Sequence, residues 1–367
     1  MDDWQRLLRE SVHNLDDLKE RFGDVFPVGV EEVIKRFKVR ITPQFLKLIE
    51  KPGDPMWLQV VPDVRELEEE DGEEDPLAED QMSPVPGLTH RYPDRVLLLV
   101  NHQCPVYCRF CTRKRKVSKA GVITRETVKA GIDYIRKHPE IRDVVVSGGD
   151  PFMLPDDRLD EILGELRSIP HVEIFRIGTR VPTALPQRIT PELCAMLRKH
   201  HPVYINVHFD HPREVTPESE EACNRLADAG CVLGNQMVLL RGVNDDAAVV
   251  RELNKKLLKM RVRPYYIYQG DLVQGTGYLR TRLEVGLDVI RGLRGFMSGL
   301  GVPHYVIDAP GGGGKIPLLP NYVVTQGDRE VLLKNFRGDL YAYVQPDGDG
   351  AVPPKVAAQA GEPSNGW

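Results

Sequence analysis

The sequence predicts an α/β protein: a partial (β/α)6 barrel with a helical N-terminal region and a C-terminal segment that carries a reactive lysine. Three observations lead there. From Val96 onward, short β-branched runs alternate with stretches of helical apolar periodicity, at the separation of βαβ units. Polar and glycine residues gather just after those runs, where the loops of a β/α barrel converge into one mouth. Three of the six cysteines fall within eight positions directly after the first run. The 367 residues suffice for roughly two domains or one large barrel with appendages.

Residues 1 to about 50 carry Trp4, Leu7, Leu8, Val12, Leu15, Leu18 and Phe22, then Val30, Val33, Ile34 and Phe37, at spacings of three and four that predict amphipathic helices. Between Glu66 and Asp80 ten of fifteen residues are acidic, interrupted by Gly72 and Pro76. Self-repulsion and the lack of apolar anchors predict an exposed linker there. Strands are expected at Val96–Val100, Asp143–Ser147, Val172–Ile177, Val203–His208, Val232–Leu239 and Arg263–Tyr268, with a further one at His304–Ile307. The helices between them are expected at Thr124–Lys137, Asp157–Ser168, Pro191–His200, Pro217–Ala229, Asp246–Met260 and Leu283–Ser298. The organisation is then a helical region with acidic linker (1–88), the barrel (89–303), a lysine-bearing segment (304–344), and a Pro-, Gly- and Ala-rich tail (345–367) expected to be poorly ordered.

Composition narrows the function. A net charge of −5, with 49 basic against 54 acidic residues, disfavours a general nucleic-acid binder. The N-terminus has no apolar leader and no window is long enough to span a membrane, so a cytoplasmic protein is expected. Six cysteines are too few for a disulfide scaffold.

Cys104, Cys108 and Cys111 form CxxxCxxC after the first strand. Three thiolates in one loop can hold three irons of a [4Fe–4S] cluster and leave the fourth open to a ligand. Paired CxxC motifs of structural zinc and the full cysteine set of a ferredoxin are both absent. Cys194, Cys223 and Cys231 read as core thiols. Gly148-Gly149-Asp150 after the second strand is either a common turn or a ligand loop. The run from Asp308 through Gly311–Gly314 to Lys315 fails as a P-loop, since Ala309 and Ile316 stand where glycine and a hydroxyl are required. Four glycines permit close approach to a flat ligand, and a lysine held there can form a Schiff base with an aldehyde.

The cysteine spacing is the signature of the radical S-adenosyl-L-methionine (SAM) superfamily. The chain from Pro84 to about Asp328 closely resembles the lysine 2,3-aminomutase family, its pyridoxal phosphate (PLP)-dependent aminomutases. The resemblance lies in Leu88-Thr-His-Arg-Tyr-Pro-Asp-Arg-Val96, the cysteine loop continued as Thr112-Arg113, Arg176-Ile-Gly-Thr-Arg180, Gly234-Asn-Gln236, Tyr268-Gln-Gly-Asp271 and the glycine run with Lys315. It implies a radical SAM barrel and isomerase activity: L-lysine to L-β-lysine by a 5′-deoxyadenosyl-radical, PLP-dependent 1,2-amino shift. It implies that Cys104, Cys108 and Cys111 bind the cluster and that Gly148, Gly149, Asp150, His208 and Gln236 lie at SAM. It also assigns PLP to Lys315, its phosphate to Arg91 and Arg95, and substrate to Arg113, Asp271 and Asp308. A low-potential electron donor of the flavodoxin or ferredoxin type and a homo-oligomer are implied as well. Zinc is not expected: relatives with a zinc site have cysteine where Asp246 stands, and no cysteine follows Cys231.

Other readings remain open. A related aminomutase could act on arginine or glutamate, or supply β-lysine for modification of a translation factor. Arg113–Lys116 is also a possible solvated or RNA-facing patch of a radical SAM RNA-modifying enzyme. His208 could be a satisfied core histidine, and Asp271 and Asp308 loop carboxylates or caps.

Overall fold

The computed structural model describes residues 3–68, 72–119, 121 and 123–346. Two compact units divide the chain after Leu318. The first contains a nine-stranded sheet whose strands follow sequence order. These are β1 (Leu88–Tyr92), β2 (Arg95–Asn101), β3 (Asp143–Gly148), β4 (Ile174–Thr179), β5 (Val203–Val207), β6 (Val232–Leu239), β7 (Arg263–Gln269), β8 (His304–Ala309) and β9 (Gly314–Pro317). Strands β2 to β8 run parallel, so all their C-terminal ends share one rim. At the two edges, β1 and β9 turn back antiparallel. The Lys315 N–H on β9 donates to Tyr92 Oη at the end of β1 at 2.8 Å, which ties the two edges together.

Five short helices precede the sheet: α1 (Asp3–Arg9), α2 (Leu15–Phe22), α3 (Val30–Arg36), α4 (Pro43–Leu46) and α5 (Pro55–Val60). Within and after the sheet come α6 (Arg125–Lys137), α7 (Asp156–Arg167), α8 (Val181–Ala184), α9 (Pro191–Arg198), α10 (Pro217–Asp228), α11 (Ala247–Lys259) and α12 (Leu283–Leu293). Their starts are written in the sequence. Thr124, Thr190, Thr216 and Asp246 each cap a helix by accepting a backbone N–H with the side chain, and proline stands in the first turn after Thr190 and Thr216. Asp246 caps α11 by accepting the Ala248 N–H at 2.6 Å.

The main core lies between the helices and the outer sheet face: Val144, Val146, Phe175, Ile177, Ile205 and Leu233 meet Ile132, Leu163, Leu197 and Leu226. The alternate residues Ser147, Gly178, Gln236 and Tyr268 are only half-buried and line the inner face. A second core, Ile41, Phe45, Met56, Trp57 and Val60, packs the N-terminal helices onto Val106 of the cysteine loop and Ala184.

The structure changes three expectations. The barrel has seven parallel strands rather than six, because His304–Ala309 joins the sheet. The last helix stops at Leu293, five residues early. The acidic run is no exposed linker: Glu66 and Glu79 are both buried, each paired with arginine. The second unit is an antiparallel meander of β10 (Val323–Gln326), β11 (Glu330–Lys334) and β12 (Leu340–Val344). The tail expected to be poorly ordered lies, from residue 347 on, outside the described residues. Among the described residues no helix is long and apolar enough to cross a membrane.

Candidate active site

The loop after β2 carries the three cysteines, and all three line one cavity of about 50 Å3 with Phe37, Val106 and Tyr107. Burial pushes the Cys108 thiol up to about 11 and raises Cys104 and Cys111 too, so each thiolate requires a compensating positive centre. Among the described residues no three ligand side chains converge as a single metal ion requires. Three thiols lining one cavity offer three corners to a multi-iron cluster. Arg180, just after β4, donates from Nη1 to Cys108 Sγ at 2.7 Å.

Gly148 and Gly149 end β3 against that loop. A Cβ on Gly148 would lie 2.1 Å from the Asn101 carbonyl oxygen, and one on Gly149 2.3 Å from that of Gln103, so only glycine admits this approach. The Asp150 carboxylate is turned inward. It accepts from Thr179 Oγ1 at 2.8 Å and from the N–H groups of Arg180 and Phe152 at 2.7 and 3.1 Å, while burial lifts it to about 6. The Gly149 and Asp150 N–H groups are committed too, donating to the Asn101 and Gln103 carbonyls at 2.7 Å each. His208 lies just past β5, stacked on Phe110 of the cysteine loop, with Nε2 2.7 Å from buried Asp210. Gln236 on β6 faces the inner side of the sheet.

Asp271, Asp308 and Glu284 line a second cavity of about 410 Å3 with Arg280, Arg282, Leu77 and Ile307. That volume suits a small organic ligand. Asp308 accepts from Lys315 Nζ at 3.0 Å, and Arg91 Nη1 stands 3.6 Å away. Burial raises Asp271 to about 6; its partner is Thr112 Oγ1, 2.9 Å away in the cysteine loop. The Lys315 ammonium lies 5.3 Å from the Tyr268 ring. Arg95 stacks over the Tyr92 ring at 4.1 Å, beside the hydroxyl that accepts the Lys315 N–H. A nucleophilic lysine, a facing carboxylate and two nearby guanidinium groups give the donor set a phosphorylated aldehyde needs: an amine to link and cations for its phosphate.

The acidic run straps these parts together. Glu66 pairs with Arg109 at 2.6 Å and Lys114 at 2.9 Å, Asp75 with Arg115 at 2.7 Å, Glu79 with Arg113 at 2.8 Å, and Asp80 with Lys116 at 2.6 Å. The same segment meets the glycine loop, where the Gly311 N–H donates to the Pro76 carbonyl at 2.8 Å, and Arg91 Nη2 donates to the Leu77 carbonyl at 2.6 Å. Burial works against the Glu79 carboxylate, but Arg113, Lys116 and Arg115 overcome it and hold its pKa below the ordinary range. With every cation of the run Arg113–Lys116 paired inside the chain, the RNA-facing reading loses its surface. Glu79 accepts from Nε and Nη2 of Arg113 and leaves Nη1 with one long contact, Ser147 Oγ at 3.5 Å.

The sequence reading brings Cys104, Cys108 and Cys111 to one cavity and Asp271 and Asp308 to another, with Lys315, Arg91 and Arg113 around them. It gave no role to Tyr92, Thr112 and Arg180, which lie within the motifs it singled out, and missed Glu79, Asp210 and Glu214. The one available signal for the strap was a basic run, Arg113–Lys116, opposite in sign to the acidic one. Asp210 and Glu214 had none, being single carboxylates in a loop.

Comparison with known proteins adds an independent line. The family described as "Radical SAM superfamily" matches residues 98–253, and "Lysine-2,3-aminomutase" matches residues 290–362. The chain is 50% identical over 354 residues to an L-lysine 2,3-aminomutase of Clostridium subterminale, covering 94% of this chain and 84% of the relative. It is 48% identical over 351 residues to the protein of the same name from Fusobacterium nucleatum, covering 94% and 83%. A glutamate 2,3-aminomutase of Clostridioides difficile is 47% identical over 314 residues, covering 85% and 74%.

Proposed function

The chain belongs to the lysine 2,3-aminomutase family of radical SAM isomerases, and from that premise we propose that it converts L-lysine to L-β-lysine. One observation carries the choice of substrate. Asp271 and Asp308 share a single cavity, and Asp308 already holds a lysine ε-ammonium, that of Lys315, at 3.0 Å. Arg280 and Arg282 line the same cavity, but its Asp271–Asp308 end, where Asp308 already meets an ammonium, is the part that compensates a buried cation and disfavours the side chain of glutamate.

In this reading Cys104, Cys108 and Cys111 would hold a [4Fe–4S] cluster, and the Gly148–Asp150 turn, His208 and Gln236 would hold SAM. Lys315 holds PLP, and Arg91 and Arg95 take its phosphate, with Tyr92 fixing the Lys315 backbone. Arg113 takes the substrate carboxylate through the Nη1 edge that Glu79 leaves free, and Asp271 and Asp308 take the far ammonium. When bound, these groups supply an electron, a hydrogen-abstracting adenosyl group and a carbonyl on which an amino group can migrate. The chain's own part is to fix both ends of the substrate, so that its β-carbon is held in one place, and to cover the mouth with the strap against water. The proposal includes a low-potential flavodoxin- or ferredoxin-type donor, a cytoplasmic setting and a homo-oligomer.

The test is anaerobic incubation of reconstituted protein with L-lysine, dithionite, SAM and PLP. β-Lysine should accumulate only when both SAM and PLP are present. Absence of any β-amino acid from lysine in the complete mixture would overturn the reading.

A further inference from the structure

One fully enclosed cation touches the cysteine loop, and the reading above gives it no task. The Arg180 side chain is 8% exposed, and its two terminal nitrogens do different things. Nη1 donates to Cys108 Sγ at 2.7 Å. Nη2 donates to Gln59 Oε1 and stands 3.5 Å from both Asp210 and Glu214. Phe45 and Phe110 cover the guanidinium, with ring centroids 5.2 and 5.4 Å away.

The acceptors are themselves fixed. Asp210 accepts from the Val238 N–H at 2.9 Å and lies 2.7 Å from His208 Nε2. Glu214 accepts from Gln59 Nε2 at 3.0 Å and from the Asp210 N–H at 3.1 Å. The planar fork of arginine therefore has one arm braced by α5 and the loop after β5, and the other arm aimed at a sulfur. Lysine, with a single donor head, cannot span both. Arg40, the cation beside Cys104, spends its Nη1 on the Cys104 carbonyl instead, at 3.0 Å.

A charge-assisted N–H···S bond strengthens as the sulfur gains electron density, so it favours the reduced state of any cluster that sulfur ligates. Such outer partners are among the means by which a protein sets cluster potential. We propose that Arg180 sets the reduction potential of the cluster through its bond to Cys108, with Gln59, Asp210 and Glu214 as the brace that holds the guanidinium in place. This rests on the cluster assignment made above. It makes Arg180 a positioning residue that acts through Cys108, whereas the cysteine ligates the iron.

The experiment is a redox titration of the reconstituted cluster followed by electron paramagnetic resonance. It compares the parent, Arg180→Lys, and the double variant Arg180→Gln with Glu214→Gln. The double variant removes a buried carboxylate along with its cation, so that neither charge is stranded. Reduction should become at least tenfold less favourable in the double variant, a midpoint at least 59 mV more negative for one electron, with iron content as in the parent. Arg180→Lys, which keeps the cation without the fork, should fall between the two. A double-variant midpoint equal to the parent's overturns the proposal. So does loss of the cluster from both variants, which would make Arg180 a retention element. A parent with no reducible cluster signal would refute the cluster assignment itself, a different failure.

Discussion

Replacing Asp271 with asparagine tests the cation pocket at the point where its energetics can be read from the structure. Burial lifts this carboxyl from an ordinary 3.8 to about 6, against the pull of Thr112, Lys315 and Arg113. That rise corresponds to about 3 kcal/mol spent in keeping the ionised form at this buried position. The substrate's ammonium recovers this energy when it pairs with the carboxylate. Asp271→Asn should therefore lower kcat/KM for lysine by about 100-fold, with cluster and PLP content unchanged. The sign for stability is the reverse of the usual salt-bridge case. A carboxyl whose pKa rises on folding contributes stability below its unfolded value and loses it as pH climbs through about 6. The asparagine variant, free of that penalty, should melt no lower than the parent at pH 8. Activity runs the other way: only the ionised form pairs with ammonium, so parental kcat/KM should fall as pH drops through about 6, and this limb should vanish in the variant. Steady-state kinetics from pH 5 to 8 (on the order of the range set by that pKa) and thermal melts read both. Parent-like kcat/KM in Asp271→Asn would refute the reasoning.

Other perturbations separate the remaining parts. Glu79→Ala frees Arg113 to turn and should raise KM for lysine about 10-fold with kcat little changed, measured by initial rates; a change confined to kcat would contradict the positioning role. Glu66→Gln leaves buried Arg109 and Lys114 without their shared carboxylate, 2.6 and 2.9 Å away, and should cost ~3–5 kcal/mol by denaturant unfolding. Gly149→Ala drives a methyl group to 2.3 Å from the Gln103 carbonyl and should lower the iron content of reconstituted protein by displacing the cysteine loop. Lys315→Ala should abolish the borohydride-reducible PLP adduct, and peptide mapping of the parent should find that adduct on Lys315.

Most of the barrel could be read in the sequence because parallel strands buried on both faces give continuous apolar runs, and threonine and proline mark the helix starts. Val232–Leu239 matches its expected limits, and the other strands differ from theirs by at most two residues at either end. The edge strands β1 and β9 were not legible: Leu88–Tyr92 has no alternating apolar run and Gly314–Pro317 has one apolar side chain between glycine and proline, so neither carries a strand pattern. They form because a neighbouring strand offers backbone partners. The acidic strap failed for a related reason. Local charge density argued for solvent, while the compensating cations, Arg109 and Arg113–Lys116, lie 34 to 48 positions away. Among site residues, those with distinctive chemistry stood out, cysteines and the lysine in its glycine run above all. Those acting as partners, such as Glu79, Tyr92 and the Arg180 brace, needed the tertiary fold to bring them into contact.

The central claim is that the two carboxylates of one cavity select lysine, and the most direct measurement is a single competition. Reconstituted protein is given equal concentrations of L-lysine, L-arginine and L-glutamate with SAM, PLP and dithionite under anaerobic conditions, and the β-amino acids are separated and identified by mass. The account predicts β-lysine as the dominant product and no β-glutamate. Accumulation of β-glutamate, or of β-arginine in place of β-lysine, would contradict it.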